Sequence, residues 1–337
     1  MKPNKKLITL SDNKSRIIQL LKELVFLPRL KAIQWSKLTH QTPNLKIGYP
    51  GQHLASLVTG MCGERTGARG NDIIDGTEVK SCSRIDQLDK CKSCSEPVAR
   101  LEDKCPHCDS TNIKRNDDSK WLFTIRNNDD LNTLIHEVGR VLLVIGYYPE
   151  FEKNNFDDVR MSVYEIWPED KRQSKFAELM TNYYHNIYLA HKKINASKTP
   201  APKNFWPFSY QFYSCNPIEV FSCDILNIDT DPKITITKFV EPDKDRALLD
   251  SVLMPPNILT EDEFIVIYKK ASKDQIESCL NEKFTYKDLQ KAIKTKQGKN
   301  ILSEMFSYLD EDLRSFLPLR DTDKISTAKK KYKRRKS

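Results

Sequence analysis

No part of the chain contains the run of about 18 apolar residues that a membrane-crossing helix requires, so nothing in it is expected to span a bilayer. The basic opening Met1-Lys2-Pro3-Asn4-Lys5-Lys6 is followed by only Leu7-Ile8-Thr9-Leu10 before Ser11 and Asp12, too short an apolar segment for a secretory signal. Both absences predict an intracellular, reducing setting, where closely spaced cysteines hold metal rather than form disulfides. Surplus charge is also scarce in the body of the chain. The net charge is +9, but the closing run Lys329-Lys330-Lys331-Tyr332-Lys333-Arg334-Arg335-Lys336 supplies seven of those positives and leaves two for the remainder. The body is therefore not globally basic, and any groove for a polyanion must come from local clustering. The tail suits a polyanion through counterion release, an import signal, or simply a solvated end. Internal repeats are absent.

What is present is a chain of 337 residues, 39% hydrophobic and 30% charged, enough for two domains or one elaborated core. Residues 11–27 read as a helix with an apolar face of Ile17, Ile18, Leu20, Leu21, Leu24 and Val25, broken by Pro28. A second helix spans about 29–39. Pro50 fits the first turn of a third, which carries Leu54, Leu57, Val58 and Met61 and is stopped by Gly60 and Gly63. Ile73-Ile74, Thr77–Lys80 and Trp121–Ile125 read as three short strands. Asp129 or Asp130 caps a helix through Leu131, Leu134, Ile135, Val138 and Leu142, and a fourth strand runs from Val159 to Trp167. Helix, three strands, helix and strand imply a mixed sheet between helices, an α/β or α+β core. Further on, 174–194 is an aromatic helix, 197–207 is irregular because of three prolines, and strands are expected near 218–228 and 233–240. Thr260/Glu263, Ser272 and Thr285/Asp288 start three more helices. This gives an N-terminal helical region (1–45), a core (46–200) interrupted at 88–110, a C-terminal mixed region (201–320) and a basic tail (321–337).

The chemistry concentrates in Asn71-Asp72-Ile73-Ile74-Asp75-Gly76-Thr77-Glu78-Val79-Lys80. Acid-x-Lys triplets recur elsewhere in the chain, but Glu78-Val79-Lys80 lies on an apolar strand behind a turn with a further acid upstream. A two-residue Asp75-Gly76 loop would set Ile73 opposite Glu78. A three-residue loop, Ile74-Asp75-Gly76 with Gly76 left-handed, sets Asp72 opposite Glu78 and puts Lys80 on the same face. The second arrangement is preferred, because it gathers two carboxylates and an ammonium, the set that holds Mg²⁺ and steadies a phosphoryl transition state. Asp75 is then expected to point to solvent. Glu64 is an accessory acid candidate, and Arg65 and Arg69 in the loop before the hairpin are candidates for gripping a phosphate.

Cys91-Lys92-Ser93-Cys94 and Cys105-Pro106-His107-Cys108 form two CxxC knuckles ten residues apart, the spacing of a structural four-thiolate Zn²⁺ site. Lys90, Lys92, Arg100 and Lys104 on this insertion are candidates for contact with phosphates or base edges, with a structural brace or dimer contact as the alternative. Cys62, Cys82, Cys215, Cys223 and Cys279 read as ordinary buried thiols.

Asp72 followed by Glu78-Val79-Lys80 resembles the PD-(D/E)XK nuclease signature, with Asn71 where proline is usual. The wider block from Gly67 through Arg84, with the cysteine pairs and Asp118–Phe123, is similar to MamI-type restriction endonucleases. The resemblance implies a Mg²⁺-dependent type II enzyme in a prokaryotic cytoplasm, near the nucleoid. It would cut double-stranded DNA at a palindromic or interrupted-palindromic site, leave a 5′-phosphate, and work as a homodimer. A repair or mobile-element nuclease with the same core, or a non-catalytic zinc-ribbon DNA binder, are the alternatives.

Overall fold

The computed structural model describes residues 1–65 and 71–320, so the basic tail expected at 321–337 lies outside the described residues. Helices α1 (Asn13–Leu21) and α2 (Leu27–Thr39) form one rod, joined through a wide π turn at Lys22–Phe26. Pro28 does not break this helix. Proline removes one amide and crowds the carbonyl four residues back, and here it sits in the first turn of α2, just after the widened ladder. Helix α3 (Gly48–Thr59) begins with Pro50 inside its first turn and ends at Gly60, whose φ of 69° is left-handed.

The long strand β1 (Thr77–Ser83) follows. Next come the small strands β2 (Asp89–Cys91), β3 (Pro97–Val98) and β4 (Ile113–Lys114), a sheet of its own in the order β3-β2-β4. Strand β5 (Trp121–Phe123) and helix α4 (Asn128–Asn132), extended by a π turn to Glu137, lead into β6 (Arg140–Tyr147) and β7 (Val159–Ile166). An aromatic helix of α5 (Lys175–Asn182), a π segment and α6 (Leu189–Ile194) precedes β8 (Lys203–Phe205), the short α7 (Tyr210–Ser214), β9 (Ile218–Leu226) and β10 (Lys233–Phe239). Helices α8 (Glu261–Lys270), α9 (Lys273–Glu277) and α10 (Tyr286–Lys294) each open with a capping box, from Thr260, Ser272 and Thr285.

The main sheet has the order β1-β6-β7-β9-β10, with β1 parallel to β6 and the other neighbours antiparallel. The architecture is mixed α/β, as expected, but the elements around the site differ from the expected succession. The helix after Asn127 stops at Glu137, and Leu142 belongs to strand β6, which the sequence pattern hides. Val141-Leu142-Leu143-Val144-Ile145 is wholly buried. Alternate residues of that run join two cores, Val141, Leu143 and Ile145 on one face and Leu142 and Val144 on the other. A strand apolar on both faces has no period of two, so its start reads as the end of a helix. Trp121–Phe123 is not in the main sheet. It pairs with β8, inside the segment expected to be irregular, and lies over the sheet with Trp121 Nε1 donating to the Val144 carbonyl at 2.9 Å. Ile73 makes only isolated bridges, to Gly63 and Thr77. The cap of α4 is Asn127, whose side chain accepts from the Asp130 amide. No helix among the described residues is long and apolar enough to cross a membrane.

Candidate active site

Strand β1 is an edge of the main sheet, and the chain reaches it through a tight turn. Ile73 bridges Thr77, the Asp72 amide donates to the Thr77 carbonyl at 2.9 Å, and Gly76 sits at φ 86°. This is the three-residue loop, and it places Asp72 across from Glu78. Along β1 the side chains alternate. Val79 packs into the core beneath α3, and Cys82 joins the opposite core, which sets Glu78 and Lys80 on the Cys82 face. Asp72 Oδ2 accepts from the Val79 amide at 2.8 Å, so the carboxylate covers a backbone donor between the other two members of the set. Its other oxygen, Oδ1, accepts from Gln52 Nε2 at 2.6 Å. The Lys80 ammonium pairs with Glu78 Oε1 and lies 5.9 Å from the centre of the Phe123 ring.

Burial raises the pKa of both carboxyls above its ordinary value. For Asp72 the opposing influences are the Val79 amide, Lys80 and Gln52. For Glu78 burial is opposed by Lys80 and reinforced by the charge of Asp72. One lysine thus leaves two neighbouring carboxylates undercompensated, and their hard oxygens fit a small divalent cation such as Mg²⁺.

Asp75 does not point to solvent. Its side chain is 9% exposed, with Oδ1 accepting from the Thr77 hydroxyl at 2.6 Å and Oδ2 from Arg140 Nη2 at 2.7 Å. Arg140 also donates to Glu165 at 3.1 Å, and Arg246 donates to the same carboxylate at 3.0 Å. Glu165 is fully buried. Burial alone would raise its pKa, but Arg246 and Arg140 hold it below the usual carboxylate range. This network fastens the turn to β6 and β7.

Glu78 and Lys80 line a cavity of about 260 Å³ together with Phe123, Thr124, Asp129 and Asp130. The sequence marks the two aspartates only as helix caps and does not mark Gln52 at all. None of the three has a local signal for the site, since each is brought in by the way α3 or α4 packs. Glu64 is exposed, and its amide donates to the Asp72 carbonyl at 2.9 Å. Arg65 is exposed, and Arg69 lies outside the described residues.

The four knuckle cysteines converge, with their sulfurs all within 4.8 Å of one another. The Cys91–Cys108 and Cys94–Cys105 sulfurs are 3.7 and 3.5 Å apart. A tetrahedron with metal–sulfur bonds of about 2.3 Å has edges of about 3.8 Å, so the set fits Zn²⁺. Lys90, Lys92 and Lys104 are exposed on this unit. Arg100 is not available to DNA. Its buried guanidinium makes two bonds to Asp89, at 2.8 and 2.7 Å, and stacks 4.5 Å from the Phe156 ring centre, tying the knuckle to the β6–β7 connection. Of the remaining cysteines Cys62 is exposed, while Cys82, Cys215, Cys223 and Cys279 are buried as expected.

Comparison with known proteins gives two matches. The MamI restriction endonuclease family profile matches residues 34–257, roughly two thirds of the chain, across the hairpin, the knuckle and the main sheet. The type II restriction enzyme MamI of Microbacterium ammoniaphilum is 39% identical over 57 residues, which is 17% of this chain and 18% of that protein. The local match therefore spans less than a fifth of the relative's length. No solved structure matches. By the extent of the family match, the chain belongs to the MamI restriction endonuclease family.

Proposed function

We propose that the protein is a type II restriction endonuclease that hydrolyses phosphodiester bonds in double-stranded DNA at a specific site, palindromic or interrupted-palindromic. The observation that carries this reading is the convergence of Asp72, Glu78 and Lys80 on one edge of the sheet, in a chain of that family. We assign the hairpin, α4 and the strands beside them to a PD-(D/E)XK core. Asp72 and Glu78 would hold Mg²⁺. When bound, that ion supplies a Lewis acid for the phosphoryl oxygen and a lowered pKa for a water.

Lys80 sits on the same face, where its ammonium orients the attacking water and offsets charge building on the phosphorane-like state. Attack on phosphorus with departure of the 3′ oxygen leaves a 5′-phosphate and a 3′-hydroxyl. Phe123 and Thr124 line the cavity beside the ammonium, with the Phe123 ring centre 5.9 Å from it. Zn²⁺ on Cys91, Cys94, Cys105 and Cys108 is structural, since four thiolates leave no open position. Lys90, Lys92 and Arg65 are the proposed phosphate contacts, and a homodimer would supply one hairpin per strand.

Supercoiled plasmid incubated with the protein and Mg²⁺ tests the reading. Discrete fragments whose ends share one sequence are expected. Nicking confined to unusual structures would favour a repair or mobile-element nuclease, and binding without cutting at any metal concentration would refute the assignment.

A further inference from the structure

Helix α3 reaches the candidate site with Gln52, whose side chain donates to Asp72. We infer that Gln52 is a positioning residue, fixing the plane of the Asp72 carboxylate for a divalent cation. The inference rests on the reading of Asp72 and Glu78 as cation ligands.

Each Asp72 oxygen has a protein donor, Gln52 Nε2 at 2.6 Å on Oδ1 and the Val79 amide at 2.8 Å on Oδ2. Two donors on two oxygens lock both rotations of the side chain. Each oxygen keeps a further acceptor position, because a carboxylate has about four in all. Both donors are also neutral. A lysine or arginine at position 52 would hold the carboxylate equally well but would cancel the charge that attracts a cation. A glutamine orients it and leaves that charge in place.

The reach of Gln52 is set by its neighbour. A Cβ built on Gly51 would lie 2.1 Å from Ser81 Oγ and 3.1 Å from Ser81 Cβ, so α3 touches the catalytic strand through bare backbone at this point. Leu54, Ala55 and Val58, all fully buried, fix the helix in that position. Gln52 is the residue of this turn that meets Asp72, while the next residue, His53, is exposed. Gln52 itself is only half-buried, and the seating of α3 on the sheet does not depend on its amide.

Calorimetric titration with Ca²⁺ of the full chain and of Gln52→Leu, Gln52→Ala and Asp72→Asn tests the inference. Outer hydrogen bonds to metal ligands typically contribute about 10–100-fold in metal affinity. Both Gln52 variants are expected to weaken Ca²⁺ binding by that factor, with an unchanged melting temperature in metal-free buffer. They should also need more Mg²⁺ for cleavage and recover kcat to within a few-fold at saturation. Loss of Ca²⁺ binding in Asp72→Asn together with wild-type affinity in both Gln52 variants would overturn the positioning role alone. Wild-type affinity in Asp72→Asn would overturn the ligand reading beneath it. A kcat that stays depressed in both Gln52 variants at saturating Mg²⁺ would place Gln52 in the chemistry and overturn the positioning role.

Discussion

Asp72 and Asp75 lie three residues apart on one turn, and neutralising each separately should have opposite consequences. Asp75 is part of a buried network in which Arg140 is 1% and Glu165 0% exposed. Asp75→Asn keeps the shape, but its amide cannot accept from Arg140 and from Thr77 at the same time. With its oxygen turned to Thr77, an NH₂ group faces the guanidinium. Removing one partner of a buried ion pair costs about 3–5 kcal/mol. Arg140 retains Glu165, so the lower end, about 3 kcal/mol, is expected. Asp72→Asn removes a carboxylate whose pKa is raised by folding. The sign follows from proton linkage: a group that binds its proton more tightly when folded destabilises the fold once ionised, at pH values above its folded pKa. Thermal unfolding in metal-free buffer should therefore show Asp75→Asn melting several degrees lower and Asp72→Asn melting no lower than the parent. In cleavage assays well below the transition, Asp75→Asn should retain cutting and Asp72→Asn should lose it. Cutting by Asp72→Asn, with inactivity of a thermally unperturbed Asp75→Asn, would show that the wrong aspartate has been assigned.

Other expectations follow from the same geometry. Glu165→Gln should cost about 3–5 kcal/mol at neutral pH. Because the pKa of Glu165 is depressed, its contribution is fully present above the ordinary carboxylate range and is lost as pH falls through the folded pKa. The stability gap between parent and variant in urea should therefore be constant at about pH 6–8 and narrow below about pH 4.5; a gap that widens on acidification would contradict this. Stripping Zn²⁺ with a chelator should unfold the knuckle and make its four thiols reactive while buried Cys82, Cys215 and Cys223 stay protected, read by thiol titration and limited proteolysis. Arg100→Ala should free the same unit for proteolysis near residues 91–108 even with metal bound, since it removes the Asp89 pair and the Phe156 contact. Gly51→Ala should lift α3 from Ser81 and weaken Ca²⁺ binding, and adding Ser81→Ala should restore part of the loss.

What can be read from the sequence is local. The turn is legible because Gly76 supplies a positive φ and the alternation of Glu78, Val79 and Lys80 fixes the faces. The knuckle is legible because its ligands are close in sequence, and the capping boxes at Thr260 and Thr285 because they span three residues. Long-range partners are not. Asp75 folds back because Arg140, sixty-five positions later, waits beneath it. The start of strand β6 reads as helix because burial on both faces erases alternation. Arg100 looks like a DNA contact until the carboxylate of Asp89 and the ring of Phe156 close over it. Gln52 carries no signal, since only the approach of α3 to β1 brings it to Asp72.

Lys80 is proposed to work with Asp72 and Glu78 on a scissile phosphate. Single-turnover cleavage of a cognate duplex by Lys80→Ala, with DNA binding measured separately in Ca²⁺, tests it most directly. Binding should stay close to the parent while cleavage falls by at least about a hundredfold, the scale for losing one group that stabilises transition-state charge. Cleavage at the parent rate by a variant that binds normally would contradict it.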